Sequence, residues 1–212
     1  MRKALKTVLC VALILALTAI VALRVLPPMD TPAQSAAATP TPIVPAAPTP
    51  TPEPTPLQFT TVDASYFDDA LFIGDSRTVG IAEYGNLKNA TYFADVGLNV
   101  YVAQTKAVAV KNVGTVTLPQ LLSQKTFGKV YIMLGINELG TGTAESWAAQ
   151  YKVLLDEVRE LQPDAIIFLQ AIFHTTQEKS DATFFKNSTI DARNAELQKL
   201  ADNETVFYID CN

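Results

Sequence analysis

Ser76 stands in the run Gly74-Asp75-Ser76-Arg77-Thr78-Val79-Gly80, directly after the apolar residues Ala70-Leu71-Phe72-Ile73. A serine placed where a buried strand turns into a helix has an exposed hydroxyl. The free amides and positive end of that helix then face any negative charge that develops beside it. This arrangement suits attack on a carbonyl carbon, provided a base takes the serine proton, because the hydroxyl alone is a weak nucleophile. The same residues also read as a plain helix start, with Asp75 and Ser76 serving only as a cap.

Two further turns could join such chemistry. Asp95-Val96-Gly97-Leu98-Asn99 and Leu134-Gly135-Ile136-Asn137-Glu138 each close another apolar run. Gly97 by itself is what a tight turn needs, and Asn137 by itself caps a turn through its amide. His174 is the single histidine of the chain. It follows Phe168-Leu169-Gln170-Ala171-Ile172-Phe173 and has three readings: a stand-in base, a pocket-lining residue beside Asp75 and Arg77, or an ordinary loop residue. Thr175 to Asn187 form a long connection that reads either as a wall of the site or as surface loop.

The elements that must hold these residues are legible from hydrophobic pattern. Strands are expected at Ala70–Ile73, Thr91–Val96, Lys129–Leu134, Ala165–Gln170 and Val206–Ile209, each apolar on both faces and bounded by turn residues, as in a covered parallel sheet. Trp147, Tyr151, Leu154, Leu155, Val158 and Leu161 recur at helical steps behind Thr143, a candidate N-cap, and before Pro163. Ser188-Thr189-Ile190-Asp191 resembles a capping box ahead of Leu197 and Leu200. Five strands with helical crossovers predict an α/β domain, a flavodoxin-like three-layer α/β/α arrangement with a five-stranded parallel sheet. Its site would lie beyond the carboxyl ends of the strands.

With these turns in order at strand ends, the stretch from Leu71 to Asn212 resembles the GDSL/SGNH hydrolases. The Gly-Asp-Ser turn looks like the family's first block, the Gly97 turn its second and the Gly135–Glu138 turn its third. The resemblance implies Ser76 as nucleophile, the Gly97 amide in an oxyanion hole and the Asn137 side chain as a further donor. Glu138 stands where the family usually has Asp. The family's base lies in an Asp-x-x-His block after the fifth strand. That block has no counterpart up to Asn212, so the resemblance implies a fourth block and a final helix beyond it. No metal or organic cofactor is implied.

Before this stretch the composition changes twice. Arg2, Lys3 and Lys6 precede an apolar run from Val8 to Leu26. Its roughly 19 residues at ~1.5 Å each approach the hydrocarbon thickness of a bilayer. Flanking positive charge favours a cytoplasmic N-terminus and an exported remainder. A cleaved signal segment is the alternative, with Ala36–Ala38 as a late site. Residues 27–57 repeat Thr-Pro units, which preclude helix and sheet and predict a disordered, extended linker. Residues 1–26 are thus an anchor or signal segment, 27–57 a linker and 58–212 a single hydrolase-like domain. Cys10 and Cys211 could not meet if the first run sits in a bilayer, so no intrachain disulfide is expected.

Net charge is −5 with signs interspersed, and no nucleic-acid-reading motif is present, so nucleic acid is a poor partner. The expectation is an extracytoplasmic, membrane-held or secreted serine esterase acting on carboxylic esters, with O-acyl groups of polysaccharide or cell wall as candidate substrates. A glycan-binding domain that keeps the fold without turnover, or an O-acyltransferase, are its rivals.

Overall fold

The computed structural model describes residues 60–212. The expected membrane helix at 1–26, the Pro/Thr-rich linker at 27–57 and the first residues of the 58–212 domain lie outside the described residues. No helix among the described residues is long and apolar enough to cross a membrane.

A short 3-10 turn, Ala64–Phe67, leads into β1 (Ala70–Gly74), α1 (Ser76–Tyr84) and β2 (Thr91–Ala94). A hairpin of β3 (Val108–Val110) and β4 (Gly114–Val116) precedes α2 (Leu118–Gln124) and β5 (Lys129–Met133). Then come α3 (Ala144–Leu161), β6 (Ile166–Gln170), α4 (Gln177–Ala182), α5 (Asn187–Gln198) and β7 (Val206–Ile209). Five strands form one sheet in the order β2-β1-β5-β6-β7, and every neighbouring pair is parallel. Counted within the sheet alone, this is the strand order of a flavodoxin-like domain, whose direction of winding reverses beside the first strand.

All five residues of β1 are buried, as a central parallel strand requires. Alternate residues serve opposite faces. Leu71, Ile73, Val130, Ile132, Ile167 and Leu169 join the larger core with Leu118 and Leu121 of α2, Trp147, Tyr151 and Leu154 of α3, and Ile190 and Leu197 of α5. Ala70, Phe72 and Tyr131 face the other way, toward Phe67, Leu87 and Ala90. On that face an aromatic row crosses the sheet from Tyr92 through Phe72, Tyr131 and Phe168 to Phe207. Its successive ring centroids are 5.3, 4.7, 4.6 and 5.9 Å apart.

The helix over 144–161 begins as expected. Thr143 is the N-cap, its hydroxyl accepting the Ser146 amide while Ser146 Oγ accepts the Thr143 amide. At its other end the buried Gln162 accepts the Phe127 amide and donates to the Leu122 and Lys125 carbonyls, tying α3 to α2.

Three local expectations differ from what forms. The Ser188–Asp191 capping box is absent: α5 starts at Asn187 with Lys186 at its N-cap and no side-chain cap. Asn187 instead closes the preceding loop, accepting the Thr175 amide and donating to the Thr175 carbonyl. The Thr175–Asn187 connection is not all loop, since Thr176 caps the short α4 by accepting the Lys179 amide. The β3–β4 hairpin was not expected; its strands are three residues each and turn through Asn112 and Gly114, both at positive φ.

Candidate active site

β1 delivers its chain directly into the first turn of α1. Asp75, at the N-cap, is fully buried and accepts the Arg77 amide at 2.9 Å. The same carboxylate takes two bonds from the Arg77 guanidinium, at 2.9 and 2.6 Å, a bidentate pair across the nucleophile candidate. Asp75 is therefore turned inward, and Arg77 is half-buried with its guanidinium 5.8 Å from the Phe173 ring. Ser76, between them, is exposed, and no hydrogen bond engages its side chain among the described residues.

The second and third turns meet beside it. Gly74 pairs with Ala94 of β2 and with Met133 of β5, so all three strands end at one level. The Asp95 amide donates to the Gly74 carbonyl at 3.3 Å. Gly97 follows at φ +78, a left-handed conformation that L side chains rarely adopt. Leu98, Val100 and Ala103 are buried and root this loop in the core. From the β5 side, Asn137 Nδ2 donates to the Leu98 carbonyl at 2.9 Å. A carboxamide nitrogen carries two hydrogens, so this bond leaves Asn137 a second donor. Gly135, at φ +128, lets the turn pass close to Ile172 and Trp147.

Behind Asn137 lies a buried charged pair of elements. Glu138 is 3% exposed, and its Oε1 accepts both the Val100 amide and Trp147 Nε1, each at 3.1 Å. Burial pushes its carboxyl above the usual carboxylate range, against the opposing effect of those two bonds and of the Arg193 charge. Arg193, from α5, is equally buried. It donates to the carbonyls of Gly135, Glu138 and Thr141 at 3.2, 2.6 and 2.9 Å and lies 5.1 Å from the Trp147 ring. Burial lowers its affinity for the proton, and Glu138 works in the other direction.

His174 is not joined to this group. Its Nε2 pairs with Asp191 Oδ1 of α5 at 2.6 Å, and its amide donates to Asn212 Oδ1. Together with Asn194, Gln198 and Tyr208 it lines a cleft of about 650 Å³ that does not include Ser76. Of the residues singled out from sequence, Ser76, Arg77, Gly97 and Asn137 share one edge of the sheet, Asp75 supports them from beneath, and His174 faces a separate cleft. Arg193 was missed. Its signal was available: it falls at a helical step between Ile190 and Leu197, a charged residue on a core-facing stripe.

Comparison with known proteins accords with this geometry. The model of the GDSL-like lipase/acylhydrolase family matches residues 72–212. An active site mutant of a family two carbohydrate esterase from Clostridium thermocellum is similar in structure at 18% identity and a TM-score of 0.46, covering 66% of this chain and 52% of that one. A carbohydrate esterase family 3 structure from Talaromyces cellulolyticus is similar at 17% identity and a TM-score of 0.45, covering 67% and 78%. The chain thus spans about half the length of the first of these. No curated protein sequence matches it. Matched through all three turns and on to Asn212, the chain belongs to the GDSL-like lipase/acylhydrolase family.

Proposed function

We propose that the chain is a serine ester hydrolase with Ser76 as nucleophile. Ser76 Oγ bonds to the ester carbonyl carbon, and the alcohol leaves with a proton. Water then releases the acyl group as a carboxylic acid and restores the serine. The Ser76 and Gly97 amides and Asn137 Nδ2 hold the oxyanion. The observation that carries this reading is the bond from Asn137 Nδ2 to the Leu98 carbonyl, which sets the second and third turns against each other next to Ser76. His174 pairs with Asp191, and the proton acceptor that the family resemblance implies is instead an Asp-x-x-His histidine.

The substrates proposed are O-acyl groups of polysaccharide or cell wall, met outside the cytoplasm by a domain held on the 27–57 linker and the 1–26 membrane segment. A groove of about 800 Å³ lies along α1 and β2, lined by Val79, Lys88, Asn89, Lys111 and Asn112; like the His174 cleft, it does not include Ser76. The engagement of His174 away from Ser76 favours one rival, a glycan-binding domain without turnover.

A fluorophosphonate probe separates the two. The esterase reading expects covalent labelling of the full-length protein and none of Ser76→Ala. Labelling should accompany release of acetate from acetylated glycan. An unlabelled protein that still binds the glycan would establish the rival. Acetate transfer that requires an acceptor sugar would instead make it an acyltransferase.

A further inference from the structure

We infer that Glu138 is a positioning residue for the oxyanion hole, holding the Gly97 loop at the distance that hydrolysis requires. The inference rests on the Ser76 reading above and names a device within that site.

Consecutive side chains grip one loop at two peptide groups. Asn137 Nδ2 takes the Leu98 carbonyl, and Glu138 Oε1 takes the Val100 amide two residues later. With both ends of that short segment fixed, Gly97 immediately before it has little freedom to drift from the Ser76 turn. Glu138 is in turn held still. Trp147 Nε1 donates to the same oxygen, and Arg193 fastens the backbone of the turn through the carbonyls of Gly135, Glu138 and Thr141. The chain of contacts therefore runs from α5 and α3, through one carboxylate, to the loop whose amide must meet the oxyanion.

Distance matters here more than it does for folding. Oxyanion donors act at about 2.7–3.1 Å from the charged oxygen, and a displacement of ~1 Å in a reacting group costs on the order of 100-fold. Because the hole is used only in the transition state, a displaced donor lowers kcat while leaving KM nearly unchanged. Val158 provides the contrast, being buried in the core near the far end of α3 and outside this chain of hydrogen bonds.

The test uses the full-length protein with a soluble aryl ester. Glu138→Ala is expected to lower kcat by roughly 30–100-fold with KM within about threefold. Glu138→Gln keeps an acceptor oxygen and should recover most of the loss. Val158→Ala, a core truncation near the far end of α3, should lower Tm yet hold kcat within about threefold. In amide exchange, Glu138→Ala should deprotect Leu98–Ala103 ahead of β1.

Equal loss of kcat in Val158→Ala and Glu138→Ala would overturn the inference, as would an unaltered kcat in Glu138→Ala. If Glu138→Ala does not fold, the wild-type chain decides: a Val100 amide that exchanges as fast as an open loop overturns the inference, and one protected like β1 upholds it. Failure of the Ser76 reading itself would show differently, as turnover that survives Ser76→Ala while the exchange results stand.

Discussion

At the scale of single residues, the site depends on two glycines that tolerate substitution very differently. Gly97 and Gly135 both have positive φ, so any side chain there is strained by roughly 1–2 kcal/mol. Around Gly97 a Cβ would meet nothing within 4 Å. At Gly135 it would collide with Ile172 and come within 2.8 Å of the Trp147 ring. Gly97→Ala should therefore fold, with Tm lowered by a few degrees, and should label more slowly with fluorophosphonate. Gly135→Ala adds overpacking of about 1–3 kcal/mol to the same strain and should show a far larger loss of Tm. Thermal melts of the two side by side check this, and equal shifts would refute it. The glycine and asparagine of these turns were legible in sequence because a turn at a strand end has few chemical solutions. Glu138 and Arg193 were not, because their meaning lies in partners 38 and 55 residues away. In sequence Glu138 showed only as a departure from the family's Asp, whereas in the fold it is the buried acceptor of the Val100 amide and the Trp147 indole.

Elements were easier to read where they are buried. All five strands of the sheet lie where continuous apolar runs place them, and α3 follows its stripe of Trp147, Tyr151, Leu154 and Val158. The β3–β4 hairpin escaped because Val108-Ala109-Val110 and Gly114-Thr115-Val116 are too short for a period-two pattern to show. The start of α5 escaped because its loop is closed by Asn187 rather than by a side chain of the capping pattern. The entry to β7 is built in a comparable way. Asp202 accepts the amides of Glu204, Thr205 and Val206 and the Thr205 hydroxyl, at 2.8, 2.8, 2.7 and 2.9 Å. Desolvation works against its charge, but these bonds outweigh it and hold the carboxyl far below the usual range. A depressed carboxyl stabilises the fold above its unfolded value of about 3.9 and loses that contribution as pH falls toward the folded value. Asp202→Asn should thus melt below wild type at pH 7, and the gap should narrow steadily below about pH 4. A gap unchanged from pH 7 to pH 2 would show that the charge plays no part.

At the scale of the whole molecule, composition marks off the residues that precede the domain. The change from Pro/Thr repeats to mixed globular composition near Leu57 is plain in sequence, as is the apolar run behind Arg2, Lys3 and Lys6. Long apolar runs are read by length alone, since ~20 residues of helix match the bilayer core, so no tertiary contact is needed to recognise them. The same length argues against cleavage, because a signal segment's apolar core is usually about 7–15 residues and is followed at once by small residues. Here Leu26 is followed by Pro27 and Pro28. The anchor proposal therefore makes a prediction about the full chain that does not depend on catalysis. Carrying a C-terminal tag in a bacterial host, it should keep its full mass and stay in the membrane pellet after an alkaline carbonate wash. Protease added to spheroplasts should remove the tag, since positive charge before the run keeps the N-terminus inside and sends the domain out. A shortened product in the medium would replace the anchor with a cleaved signal while leaving export intact. A full-length product whose tag resists protease would reverse the orientation and, with it, the case for a cell-wall or polysaccharide substrate.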